Sequence, residues 1–187
     1  MDFGFDDTQR DLHARMLALG ERAGDAPAGE RLRLLAEAGV LGLSIPREHG
    51  GGGLDLVTTA HAYEALGRTL TDGGVLLAAG AHLFGVAMML VKIGTAEQKA
   101  RWLPGLASGE IIATVGATEE VSGSDIGSAQ AIAEPTPGGF TLTGTKRYVT
   151  AAARAGLYFA VARNGAGGRG LTALRDAAGA GDRKSVV

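Results

Sequence analysis

The stretch VLLAAGAHLFGVAMMLV, residues 75–91, carries no formal charge and restricts this chain more than any other segment. Such a helix belongs in a protein core or in a lipid bilayer. A span needs roughly 20 apolar residues and about 17 at the least, so length leaves both open. His82 in the middle, Gly80 and Gly85, and the lack of a Lys/Arg cluster on one flank argue against a span. A helix apolar on every side is also what the centre of a helical domain requires. The expectation is a buried helix in a soluble protein, with no membrane span.

Composition agrees. With 187 residues, 45% hydrophobic and 20% charged, the chain has enough apolar material for a sizeable core. A net charge of -2, with no basic block in either half, gives no general attraction to nucleic acid. The absence of cysteine removes disulfides, thiolate metal sites and cysteine nucleophiles together. The opening MDFGFDDTQRDLHARM lacks the basic, apolar, small-residue order of a secretory signal, and a cytoplasmic location is expected.

Helices dominate the first half. Asp6 or Asp7 caps a helix with Leu12, Met16 and Leu19 on one face, weakened near Gly20 and Gly24. A second carries Leu32, Leu35 and Ala36 inward and stops at Gly39. LGLSIPREHGGGG reads as loop. Leu56, Ala60, Tyr63 and Leu66 mark the face of a third helix, and residues 75–91 form the fourth. Thr95 and Gln98 make a capping box for a fifth, closing near Trp102 before Pro104.

From Ile111 the pattern turns to strands: IIATVGAT, a hairpin of SAQAIAE and FTLTGTKRYVT around PTPGG, then LYFAVAR and a start at Leu171. The fold class expected is α+β: an all-α domain over 1–110 followed by an incomplete antiparallel β-barrel-like domain over 111–174. An irregular tail, 175–187, follows. Its DRKSVV is what one frame of a sequencing adapter would encode, so the tail is expected to be artefactual and the gene to continue. So few strands leave sheet edges and one face uncovered, which points the same way.

Several chemistries fail on spacing. Gly50 to Gly53 lack the Lys-Ser/Thr ending of a P-loop and read as an inter-helix turn. His13, His49, His61 and His82 show no pairing with carboxylates at metal-ligand spacing, so no metal site is expected. No elbow motif surrounds Ser122, Ser124 or Ser128. Glu119, Glu120 and Asp125 match no calcium loop and read as a solvated turn. ATEEVSGSDIGSAQ, residues 117–130, offers exposed backbone N–H groups and hydroxyls, which suit either an anion-binding nest or an ordinary Gly-Ser turn.

In order and spacing, LAEAGVLGLSIPREHGGGGLDL, GTAEQKARWLPGLASGEIIATVGATEEVSGSD and GFTLTGTKRYVTAAARAGLYFAVAR resemble the N-terminal helical and middle β domains of the acyl-CoA dehydrogenase family. The likeness runs nearly the whole chain, to about Leu174. It implies an oxidoreductase of fatty acid metabolism with FAD held where these two domains meet a second helical domain. The family motif Thr-Glu-Pro-x-Ala-Gly-Ser-Asp matches here as Thr118 to Asp125, so the resemblance implies flavin contacts from Val115, Gly116, Ala117 and Thr118. It also implies approach of Gly123 and Ser124 to the pyrophosphate and of Ser124 to substrate. The motif Lys-x-Trp-Ile-Thr-Asn appears as KRYVTA, giving Tyr148, Val149 and Thr150 to the flavin.

The implied chemistry is α,β-dehydrogenation of an acyl-CoA, with electrons passed to an electron-transfer flavoprotein and with homo- or hetero-oligomers formed by the full-length protein. The family's catalytic glutamate lies on a C-terminal domain that this chain does not reach, so no catalytic residue is assigned and the chain alone is expected to be inactive. Glu120 replaces the usual proline, Ser122 alanine, Tyr148 tryptophan and Ala151 asparagine. A non-catalytic partner subunit, and a flavin monooxygenase or oxidase of the same fold, are the alternatives.

Overall fold

A computed structural model describes residues 4–137 and 139–164, and the backbone of 171–176. The chain divides into two compact units, 1–110 and 111–187. All but the first two residues of the expected tail lie outside the described residues.

In the helical unit, α1 (Asp7–Asp25) starts at Asp6, whose carboxylate accepts the Gln9 N–H at 2.7 Å while Gln9 returns a bond to the Asp6 N–H. This reciprocal cap satisfies two otherwise unpaired donors. Leu12, Met16, Leu19 and Ala23 are buried. The helix runs through Gly20 and Gly24, and Gly20 marks a close crossing: a Cβ there would lie 2.1 Å from Thr69 Oγ1 of α3 (Leu56–Thr69). The Thr69 hydroxyl donates to the Leu17 carbonyl at 2.8 Å.

Helix α2 (Ala28–Glu37) buries Leu32 and Leu35, with Ala36 only half-buried. The segment after it, expected as loop, supplies much of the core: Val40, Leu41 and Ile45 have no exposed surface. Its glycine run closes on this core. Gly52 and Gly53 donate to the Gly42 and Ile45 carbonyls at 2.9 and 2.8 Å, and a Cβ on Gly51 would strike the Ile45 carbonyl. These N–H groups are therefore engaged and cannot cradle a phosphate, as the inter-helix turn reading required.

On α3 the inward face is Thr58, Thr59, Ala62, Ala65 and Leu66. Of the four residues expected inward only Leu66 is buried; Leu56 and Ala60 are exposed. Small residues face the core because α1 comes close, as the tight fit of Gly20 against Thr69 shows. Residues 73–93 form one long helix, the one segment among the described residues long and apolar enough to cross a membrane. Its parts are α4 (Gly73–Gly80), a π turn (Ala81–Ala87) and α5 (Met88–Ile93). One side, including Ala79, Leu83, Val86 and Leu90, is buried, whereas Leu77, Phe84 and Ile93 are exposed. Helix α6 (Ala96–Ser108) has the expected Thr95–Gln98 capping box. It continues through Pro104 to a left-handed Gly109, because Leu103, Leu106 and Ala107 bury past the proline.

The second unit is one open sheet built on β4 (Leu157–Asn164). β1 (Ala113–Gly116) runs parallel beside its first half and β2 (Ile132–Thr136) parallel beside its end. β5 (Leu171–Asp176) lies antiparallel along the opposite edge. β3 (Gly139–Thr143) pairs antiparallel with β2 as the expected hairpin. A helical unit followed by an unclosed sheet is the expected class. The sheet is mixed where an antiparallel one was expected, because the long β1–β2 connection returns the chain in the same direction and β1 and β2 both run parallel to β4.

Candidate functional site

Two loops of the sheet unit carry the residues singled out in the sequence. The first follows β1 and holds Ala117, Thr118, Gly123 and Ser124; the second precedes β4 and holds Tyr148, Val149 and Thr150. They are stitched side by side, the Arg147 N–H donating to the Thr118 carbonyl at 2.8 Å.

Beneath that contact lies a buried ion pair. Lys146, 3% exposed, places Nζ 2.6 Å from Oε1 of Glu119, 7% exposed. The Glu119 carboxylate also accepts the backbone N–H groups of Gln130 and Ala131, and Lys146 donates a second bond to the Ala117 carbonyl at 3.2 Å. Burial alone would raise the Glu119 pKa. Lys146 and the two N–H groups outweigh it and hold the carboxyl below its ordinary value, as hydrogen bonds to the charged form do. Gly116 makes room: a Cβ there would lie 3.3 Å from Lys146 Cγ.

Ser122 is buried and donates to the Asp125 carbonyl at 3.0 Å, while the Glu119 N–H bonds the Ser122 carbonyl. Glu119 and Ser122 are thus internal anchors and not parts of a solvated turn. Sequence reasoning missed this set because Lys146 lies 27 positions from Glu119. The available signal was that each charge falls within one of the two quoted motifs. Glu120 remains at the surface, its carboxylate 3.0 Å from Arg147 Nη2, so its negative charge has a cation beside it.

What faces outward is polar and unpaired. Among the described residues, the hydroxyls of Thr118, Ser124, Tyr148 and Thr150 make no hydrogen bond within the protein. Val115, Ala117, Thr118, Val149 and Thr150 are half-buried; Gly123 and Ser124 are exposed. Gly123 has no protein atom within 4 Å of where a Cβ would stand, so internal packing does not require a glycine there. Tyr148 is 86% exposed and sits at φ 57°, with Ala151 at φ 56°. Left-handed backbone costs roughly 1–2 kcal/mol for ordinary residues, and such strain gathers at ligand sites. An open aromatic face, unpaired hydroxyls and a backbone open to close approach suit a flat, polar-edged ring system with a phosphate tail.

Elsewhere, the histidines depart from expectation. His13 Nδ1 lies 3.0 Å from His61 Nε2, and Glu64 Oε2 lies 3.6 Å from His61 Nδ1. A pairing absent from the local spacing of His13 is made between helices.

Residues 6–110 match the family described as acyl-CoA dehydrogenase, N-terminal domain, and residues 114–179 match acyl-CoA dehydrogenase, middle domain. Among curated proteins, the L-prolyl-[peptidyl-carrier protein] dehydrogenase of Pseudomonas fluorescens is 42% identical over 79% of this chain and 41% of its own length. The mitochondrial isovaleryl-CoA dehydrogenase of Solanum tuberosum is 32% identical over 91% of this chain and 44% of its own. The solved structure of PigA with FAD and proline superposes with a TM-score of 0.87 at 29% identity, covering 95% of this chain and 50% of that one. The chain thus spans half, or somewhat less, of the length of these relatives.

Proposed function

We propose, for a chain that belongs to the acyl-CoA dehydrogenase family, that its sheet unit forms one wall of an FAD site in a dehydrogenase of acyl thioesters. The observation that carries this is the stitched pair of loops, whose anchoring groups are engaged below while the hydroxyls of Thr118, Ser124, Tyr148 and Thr150 and the open side of Gly123 stay unengaged above. The residues present fit the cofactor. The open backbone at Gly123 admits a pyrophosphate, the Ser124 hydroxyl can donate to it, and Tyr148 presents an aromatic face. The hydroxyls of Thr118 and Thr150 are free for the ring edge.

Bound FAD would supply the acceptor for the hydride leaving the substrate. This chain's residues orient the ring and exclude water from one side. They do not supply the base: Glu119 is engaged by Lys146 and two N–H groups, and Glu120 pairs with Arg147. In this reading, as the family resemblance implies, the proton from the carbon beside the thioester is taken by a group outside the described residues. Acyl-CoA as substrate and an electron-transfer flavoprotein as acceptor are part of this reading.

A second reading has the same chemistry on a prolyl group carried as a thioester by a carrier protein. It is favoured by the 42% identity to the Pseudomonas fluorescens enzyme. Anaerobic mixing of the FAD-loaded chain with isovaleryl-CoA or a prolyl-carrier protein is expected to leave the flavin oxidised. The same mixing with a protein extended by the downstream segment should bleach it with one of the two. Bleaching by the 187-residue chain alone would overturn the assignment of the base.

A further inference from the structure

We propose that His13 and His61 form a binding site for one borderline divalent cation, zinc being representative, on the outer seam of α1 and α3, with Glu64 positioning the His61 ring. The site lies in the helical unit and owes nothing to the flavin wall.

Three observations carry it. The first is distance: two imidazole nitrogens bound at 2.0–2.1 Å in a tetrahedral shell stand about 3.3 Å apart. His13 Nδ1 and His61 Nε2 are already 3.0 Å apart. Their rings are stacked, with centroids 4.4 Å apart and planes 30° apart. One of these nitrogens donates to the other as the structure stands, and a cation that replaced the shared proton would meet both.

The second is a carboxylate beside the other ring nitrogen of His61. Glu64 Oε2 lies beside His61 Nδ1 at 3.6 Å, while its Oε1 is held by Arg68 at 2.6 Å. A carboxylate there favours the proton on Nδ1 and leaves the Nε2 lone pair for the ion. One ligating atom from each of His13, His61 and Glu64 lies within 4.8 Å of the others.

The third is rigidity. The Gln9 side chain donates to Thr58 Oγ1 at 2.8 Å on one side of the pair, and Thr69 bonds the Leu17 carbonyl on the other. Phe5 stacks on His61 at 3.6 Å between centroids. The His61 side chain is 8% exposed and Glu64 49%, so one ligand is fixed and the approach is open. Binding would staple α1 to α3 and release any proton shared by the imidazoles.

Calorimetric titration of the purified chain with zinc chloride tests this. One ion per chain is expected, with His13→Gln and His61→Gln each weakening binding at least about tenfold and Glu64→Gln weakening it by about 10–100-fold, as loss of such an outer partner does. Helical circular dichroism checks that the variants fold. Histidine-ring ¹⁵N shifts of the unaltered chain give a second readout: zinc should move His13 and His61 and leave His49 and His82 in place. No saturable zinc uptake, shifts at His49 or His82 instead, or a folded double variant binding as the unaltered chain does, would each overturn the site.

Discussion

At the residue scale, the proposed flavin wall depends on charges that are out of sight. Removing one partner of a buried ion pair typically costs about 3–5 kcal/mol, since the other charge stays desolvated. Lys146→Met should therefore lower unfolding free energy in urea by that order, and Glu119→Gln added to it should restore part of the loss. Ala151 is a different case. Its backbone is left-handed, a conformation that glycine adopts freely and alanine does not, so Ala151→Gly should stabilise the chain by about 1 kcal/mol. The identity of the outward residues was legible from the motifs of residues 118–125 and 146–151. The anchoring by Glu119, Ser122 and Lys146 was not, because a turn rich in acids and serines is usually solvated and its partner lay far along the chain.

At the element scale, the apolar helix carries a titrating group. His82 has no exposed surface and sits in the π turn, with Nε2 3.0 Å from the Leu106 carbonyl. Burial pushes its pKa down to about 4, against smaller opposing pulls from the Leu106 and Leu41 carbonyls. The unfolded chain protonates His82 near its ordinary value of about 6.5, so between there and about 4 the unfolded state holds more protons. Stability from this group is full above that range and falls with acidification, by about 3 kcal/mol in all. Denaturant melts from pH 7 to pH 4 should show that slope, and His82→Leu should flatten it. Element existence was readable from caps and periodicity: Asp6, one of two candidate caps, and Thr95 start their helices, and a hairpin forms about residues 135–139, with strands shorter than the residues 128–134 and 140–150 expected for it. Ends and faces were less so. Pro104 and Gly20 carry penalties in an isolated helix, and burial of Leu106 and the tight fit against Thr69 override them.

At the scale of the whole molecule, the chain has surfaces that its own described residues do not cover. Leu77, Phe84 and Ile93 stay exposed on the long helix, a pattern that marks contact sites or association. The chain is expected to self-associate in sedimentation runs, and Leu77→Lys with Ile93→Lys to suppress it; a monodisperse monomer at high concentration would count against that exposure. The central claim concerns the other unit. FAD titration followed by flavin fluorescence, on the unaltered chain and on Gly123→Leu and Tyr148→Ala, tests it most directly, since both positions are exposed and neither change should alter thermal stability. The account predicts saturable binding, weakened about tenfold by loss of aromatic stacking worth about 1–1.5 kcal/mol and weakened also by the side chain at position 123. Equal FAD affinity in all three proteins, or no binding by the unaltered chain, would contradict it.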